Sequence, residues 1–241
     1  VRNGSNRVIV LSNDTDVIIV LLRFVAMFIS QGLSELWIRY GTGEKRHLIL
    51  LHILYKKLDP EMPSVLIKAH ILTGDDTMSK IGTKLGALTA EPVKFLKGFA
   101  ETEEECDFKD VEKYLVRVWK TSSDCHTFDD LRYSEFKRSV PLSDLPPTSY
   151  SVRGHIKRAF YLIRRCVNVL DHAYVEKDPC EFGWEDIDGV LKPTKFLKPL
   201  PTELTRTCTC KTCATKRCPC RYALLKCSTF CKCTTSDCRN K

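Results

Sequence analysis

Apolar residues recur along the chain in two rhythms. Arg7-Val-Ile-Val-Leu11 is a short continuous apolar run, the mark of a buried strand, stopped by the polar group Ser12-Asn13-Asp14-Thr15-Asp16. Apolar positions then continue from Val17 to Ile29 at helix length, which predicts strand, turn and helix in that order. Glu35 to Tyr40 predicts a second strand and Gly41-Thr42-Gly43 a turn, and Lys45 to Leu51 predicts a third strand or the start of a helix ending near Leu58. Pro60 and Pro63 mark the start of a helix that runs through Val65 to Leu72. The polar turn Thr73-Gly74-Asp75-Asp76-Thr77 follows, and helical spacing resumes from Lys80 towards Gly98. Strands alternating with helices predict an α/β layer arrangement for residues 1–100.

From Glu101 the rhythm changes. The acids of residues 101–105 predict a solvated helix start, and Val111, Tyr114, Leu115 and Val118 fall on one face of an amphipathic helix. Further helices are expected at Asp129 to Arg138 and Val152 to His172, so residues 101–177 are expected to form a helical lobe. Residues 178–204, rich in Pro, Gly and acids around Trp184, read as an extended linker, and residues 205–241 as a separate tail.

Charge sharpens that last boundary. The chain has 38 Lys and Arg against 30 Asp and Glu, an excess of +8, and residues 205–241 hold all of it. The other residues sum to zero. The cysteines divide in the same way, nine of thirteen lying in the tail. The most apolar run, Val17 to Ile29, is interrupted by Arg23 and is shorter than the roughly 20 residues a membrane span needs. No secretory signal pattern opens the chain, so a reducing compartment is expected, where clustered cysteines favour metal over disulfides. The chain opens on Val1 rather than Met, so its natural beginning is expected upstream.

The tail reads Cys208-x-Cys210-x2-Cys213-x4-Cys218-x-Cys220-x6-Cys227-x3-Cys231-x-Cys233-x4-Cys238. So few apolar residues lie between these cysteines that a hydrophobic core is excluded, and structural zinc on thiolates is the simplest alternative. Three zincs require twelve ligand positions, which nine thiolates supply if three of them bridge. Two separate four-thiolate sites with a spare cysteine, or a disulfide knot, are the alternatives. The spacing resembles the tesmin/TSO1-like CXC domain over Cys208 to Asn240, departing from it in the gaps after Cys210 and Cys233. That resemblance implies DNA binding in the nucleus. In paired-repeat members of the family a tyrosine precedes the second Cys-x-Cys and reads the minor groove; Arg217 stands there in this chain. Lys216, Arg217, Arg221 and Lys226 are the candidate phosphate contacts.

In the body, Asp14 and Asp16 lie at the carboxyl end of a strand, where open α/β sheets place their ligands, and Asp75 and Asp76 form a second acidic pair. On pattern alone the same residues serve as helix caps and dipole partners. The order Ser-x-Asp-Thr-Asp-Val, His70-x-x-Thr-Gly-x-Asp76 and Lys80-Ile-Gly-Thr-Lys84 resembles the second half of a PIN-like nuclease of the flap-endonuclease type. It is also similar to a group of transposon-derived animal proteins that join such a domain to a C-terminal CXC cluster. The resemblance, over roughly Arg7 to Leu88, implies that Asp14, Asp16 and Asp76 are catalytic ligands of magnesium or manganese, and that Gly82 and Lys84 grip a DNA backbone. The family's remaining acidic ligands precede the stretch that begins here.

The expected whole is therefore an α/β protein: a partial PIN-like three-layer domain, a helical lobe and a small zinc-cluster tail. Its expected partner is DNA, and neither a membrane nor a small-molecule cofactor is called for. Two functions from different classes compete, a metal-dependent nuclease and a non-catalytic DNA-binding protein on a degenerate PIN-like scaffold. His47, His52, His126, His155 and His172, with Trp37, Trp119 and Trp184, read as packing or surface residues.

Overall fold

The computed structural model describes residues 5–102, 108–194, 207–227, 231–233 and 238–240. The chain forms two compact units, Val1–Phe196 and Leu197–Lys241.

The first unit is mixed α and β. Strand β1 (Arg7–Leu11) leads through helix α1 (Thr15–Ser30) to strand β2 (Glu35–Tyr40), which pairs parallel with β1. Strand β3 (His47–Leu50) returns antiparallel on the far side of β2 and runs directly into helix α2 (Leu51–Lys57), so the ambiguous stretch from Lys45 onward is strand and helix in succession. Leu36 and Ile38 on the inner face of the sheet pack against Leu22 and Val25 of α1 and Leu51 of α2. The other face carries Ile9, Leu11, Leu48 and Leu50, all exposed. Among the described residues helices therefore cover one face of this sheet, two layers where three were expected.

Helices α3 (Met62–Leu72), α4 (Lys84–Thr89), α5 (Pro92–Leu96), α6 (Lys109–Trp119), α7 (Phe128–Lys137) and α8 (Ser149–Val167) form the rest. The helical spacing from Lys80 to Gly98 is broken between α4 and α5, where Glu91 adopts φ +57° immediately before Pro92. One continuous core joins Val65, Leu72 and Leu96 with Tyr114, Leu115, Phe128, Ile156 and Ile163, so helices from both sides of residue 100 share it. Buried Glu112 fastens α6 to α7 by accepting the Phe128 N–H at 2.9 Å. Glu101, expected on a solvated start, is instead a hub: it takes Lys68 at 2.6 Å and Arg23 at 3.2 Å, and its carbonyl accepts from Arg164 at 2.8 Å. Residues 103–107 of that acidic run lie outside the described residues.

The segment read as a linker from residue 178 is structured up to residue 194. A 3₁₀ turn, Pro179–Phe182, leads into a hairpin of β4 (Trp184–Ile187) and β5 (Val190–Pro193). Phe182 and Trp184 are buried in the same core, with Phe182 stacked on Phe160 and Tyr161. Asp188 and Gly189 turn the hairpin with φ of 56° and 79°, the left-handed pair that a two-residue hairpin loop requires. Residues 195–206 lie outside the described residues. Among those described, no helix is long and apolar enough to cross a membrane.

Candidate metal centre

Among its described residues, the second unit has no core of apolar side chains other than cysteine to fold around. Cys208, Cys213, Cys218, Cys220, Cys231, Cys233 and Cys238 are its buried residues, with Cys210 and Cys227 packed against them. Backbone bonds close the chain around the sulfurs. Lys232 N–H donates to the Cys208 carbonyl at 2.8 Å, Cys227 N–H to that of Asn240 at 2.7 Å, and Arg239 N–H to that of Thr212 at 2.9 Å. The Asn240 side chain donates to the Leu225 carbonyl at 2.9 Å and to Cys227 Sγ at 3.4 Å, which gives the closing Cys-Arg-Asn a structural role.

The spacing of the sulfurs identifies what the unit can hold. None of the nine cysteines is joined in a disulfide. Sγ···Sγ separations are 3.5 Å for Cys208 and Cys213, 3.8 Å for Cys208 and Cys227, 3.6 Å for Cys220 and Cys231, and 3.7 Å for Cys233 and Cys238. A disulfide would bring two sulfurs to about 2.0 Å. A tetrahedron with metal–sulfur bonds of about 2.3 Å has edges of about 3.8 Å, which matches. Three quartets have all their sulfurs within 4.8 Å of one another: Cys208, Cys213, Cys227 and Cys233; Cys208, Cys220, Cys227 and Cys231; Cys208, Cys210, Cys213 and Cys218. The cysteine cluster can therefore hold metal ions and is compatible with a zinc module.

Thiol acidity varies across the cluster. Burial pushes the Cys213, Cys220 and Cys233 thiols well above the ordinary range, as it does Cys210 and Cys227 less strongly. Cys218 goes the other way: burial opposes its thiolate, but the backbone N–H groups of Arg221 and Cys220 and the Cys213 and Cys208 thiols bring it down to about 6. A divalent ion bound by such sulfurs would deprotonate them.

The tail's expected phosphate contacts divide. Lys216, Arg217 and Lys226 are exposed. Arg221 is committed to the fold, donating to the Cys213 and Ala214 carbonyls at 3.2 and 2.9 Å. Sequence reasoning passed over Tyr222 and Leu224, which stand 72% and 93% exposed beside these cations. Their signal was available, since apolar residues in a segment without an apolar core have nowhere to be buried.

The acidic loops of the first unit make bonds within the fold. Asp14 is the N-cap of α1, its Oδ1 accepting the Asp16 N–H at 2.9 Å. Asp16 receives His70 Nε2 at 2.6 Å. Asp75 folds its own turn, accepting from the Thr77 and Met78 N–H groups at 2.7 and 2.8 Å, and Asp76 is exposed. Among the described residues, every group of three or more ligand atoms lying within 4.8 Å of one another consists of tail cysteines, and Asp14, Asp16 and Asp76 belong to none.

Gly82 and Lys84, expected on a DNA backbone, also have work within the fold. Gly82 has φ +65°, and a Cβ there would meet Val118 Cγ1 at 2.6 Å and the Val118 carbonyl oxygen at 2.8 Å. The Lys84 ammonium donates to the His70 and Gly74 carbonyls and to Thr73 Oγ1, closing the carboxyl end of α3. Burial holds its pKa below the usual lysine range, against the pull of Asp75 and Asp16. Arg158 and Arg164 of α8 likewise bond inward, to the carbonyls of Gly183 and Ala100, and Arg165 pairs with Glu176 at 2.8 Å.

No family model, no curated protein and no solved structure matches the chain.

Proposed function

We propose that the protein is a nuclear DNA-binding protein whose C-terminal unit is a three-zinc CXC-type cluster, carried by an N-terminal unit that binds rather than cleaves. The observation that carries this reading is the overlap of the sulfur quartets. Cys238 Sγ lies 3.7 Å from Cys233 Sγ, at the edge of the first quartet. The reading gives Cys238 the place that Cys208 holds in the first quartet, so that Cys208, Cys213 and Cys227 each serve two ions and the other six cysteines one. That arrangement uses nine thiolates for twelve positions. Nine thiolates and three divalent ions take the tail from +8 to +5, and its exposed cations Lys216, Arg217 and Lys226 suit a phosphate backbone. Tyr222 adds an aromatic face on which a base can stack.

The nuclease reading, with Asp14, Asp16 and Asp76 holding magnesium or manganese, is the less favoured one. Asp14 and Asp16 are engaged with the α1 cap and with His70, and both engagements favour a structural role. The chain's own residues then do two things: the thiolates order the tail, and its basic side chains neutralise phosphates.

Native mass spectrometry is expected to count three zincs per chain. Duplex DNA affinity is expected to fall steeply between about 50 and 200 mM salt, and the triple variant K216A/R217A/K226A to lower the log–log salt slope by about three. Two or fewer zincs, or a salt-independent affinity, overturns the reading. Magnesium- or manganese-dependent cleavage of flapped DNA that Asp14→Ala abolishes would restore the nuclease.

A further inference from the structure

A pocket unconnected with the cysteine cluster lies in the first unit at the carboxyl ends of the parallel strands β1 and β2. It encloses about 310 Å³ and is lined by Leu11, Ser12, Asn13, Arg39, Gly41, Thr42 and Arg46. Open sheets present ligands at this position, because the loops leaving adjacent parallel strands diverge there.

The two loops that form the pocket are tied together. Ser12 N–H donates to the Arg39 carbonyl at 3.3 Å, and Gly41 N–H donates to Asn13 Oδ1 at 2.9 Å. Gly41 has φ +89°, and a Cβ there would lie 2.3 Å from the Lys45 carbonyl oxygen, so the close turn that brings Arg46 back to the pocket needs glycine.

What remains unspent in the lining is almost entirely donor capacity. Asn13 has committed its oxygen to Gly41, which leaves the Nδ2 amide to donate. The Ser12 oxygen accepts the Asp14 N–H at 3.1 Å, which leaves its hydroxyl proton. Thr42 makes no side-chain cap bond to the turn it precedes. Arg39 and Arg46 are exposed, and among the described residues neither guanidinium has an ion pair or hydrogen bond, whereas Arg7, Arg23 and Arg117 each pair with a glutamate. Among the described residues no carboxylate lines the pocket; nearby Asp14 and Asp16 face other partners.

Two forked guanidinium groups and three neutral donors around one concavity match an anion with several acceptor oxygens and no proton to give. We propose that this pocket binds a phosphate group, held by Arg39 and Arg46 and oriented by Ser12, Asn13 and Thr42. The phosphate comes either from the monoester of a nucleotide or from the diester of a nucleic-acid strand. The proposal rests on the first unit alone, so failure of the zinc reading leaves it standing.

Amide NMR of the zinc-loaded full chain tests it, since residue-resolved shifts separate this pocket from the tail. The probes are inorganic phosphate, a nucleoside 5′-monophosphate, a dinucleotide whose single phosphate is a diester, and a glutamate-rich peptide. Saturable shifts at Ser12, Asn13, Gly41 and Thr42 are expected with phosphate-bearing probes, and the stronger of the monoester and diester identifies the source. Arg39→Ala and Arg46→Ala should each weaken binding about tenfold, while Lys57→Ala, which removes an exposed charge outside the pocket, should change it less than about twofold. Arg39→Lys should fall in between, keeping charge but losing the fork. Absence of shifts at these residues with every phosphate probe, equal binding of the glutamate peptide, or wild-type affinity in the folded R39A/R46A variant each overturns the proposal.

Discussion

The two units solve the same problem with opposite materials. The first buries large side chains such as Tyr114, Phe128, Leu115 and Ile156 completely, and leaves charge to its surface and to a few enclosed pairs. Among its described residues the second buries little but sulfur, and Tyr222 and Leu224 stand exposed. Hydrophobic burial is spread over many contacts and degrades gradually, whereas coordination concentrates stability in a few bonds that a competing ligand can remove. Each unit should therefore fail under conditions the other survives.

The sharpest way to break the comparison is to withdraw metal. Chelation is expected to unfold the second unit outright, because structural zinc supplies on the order of 10 kcal/mol of folding energy to such modules. The amide spectrum of the first unit should stay unchanged, and simultaneous collapse of both would show that their stabilities are not separate. The converse experiment is Lys68→Ala. This buried lysine donates to the Leu96 and Lys97 carbonyls at 3.0 and 2.8 Å and pairs with Glu101 at 2.6 Å. Its removal leaves those acceptors and that carboxylate short of their cation, at a cost of about 3–5 kcal/mol in denaturant titrations of the first unit. Zinc content should be unaffected.

Acid should separate the units by a different route. His155 is 4% exposed and donates Nε2–H to the Leu72 carbonyl at 2.8 Å. Burial lowers its pKa to about 4, outweighing the Leu72 bond that raises it, with Arg158 lowering it further. An unfolded histidine titrates near 6.5, so below that pH the unfolded chain takes up the proton first. Stability of the first unit should be complete above about pH 6.5 and decline by roughly 3 kcal/mol as pH falls to about 4. His155→Gln should flatten that decline, and an unchanged pH profile in the variant would locate the titrating group elsewhere. The smallest expected effect belongs to Lys84→Met, about 1 kcal/mol for lost carbonyl bonds at the end of α3. A loss of DNA affinity without a loss of stability would return Lys84 to the phosphate grip.

The rhythm of apolar positions made β1, α1, β2 and α3 legible, because each is long enough to show its period and is bounded by Gly, Pro or Asp. It failed at the hairpin of β4 and β5, whose strands are four residues long; the flanking acids and prolines outweighed the Asp188-Gly189 turn signal that identifies it. Glu101 was misread because nothing local to an acidic run discloses a lysine and an arginine arriving from distant helices. The cysteine centre was legible as a composition, and its quartets required coordinates, since Cys208 meets Cys227 and Cys233 across residues that spacing cannot fold. The acidic loops show the opposite limit: Asp14 and Asp16 are where the strand end was expected, yet their partners are a backbone N–H and His70.

Sharing of Cys208, Cys213 and Cys227 among quartets has a consequence for how the tail responds to zinc supply. An ion that leaves takes with it the charge compensation of sulfurs its neighbours still use, so partly loaded forms are disfavoured against both empty and full ones. If zinc fills the shared quartets as proposed, occupancy is expected to rise steeply over a narrow range of free zinc, which would make the second unit a threshold element rather than a graded buffer.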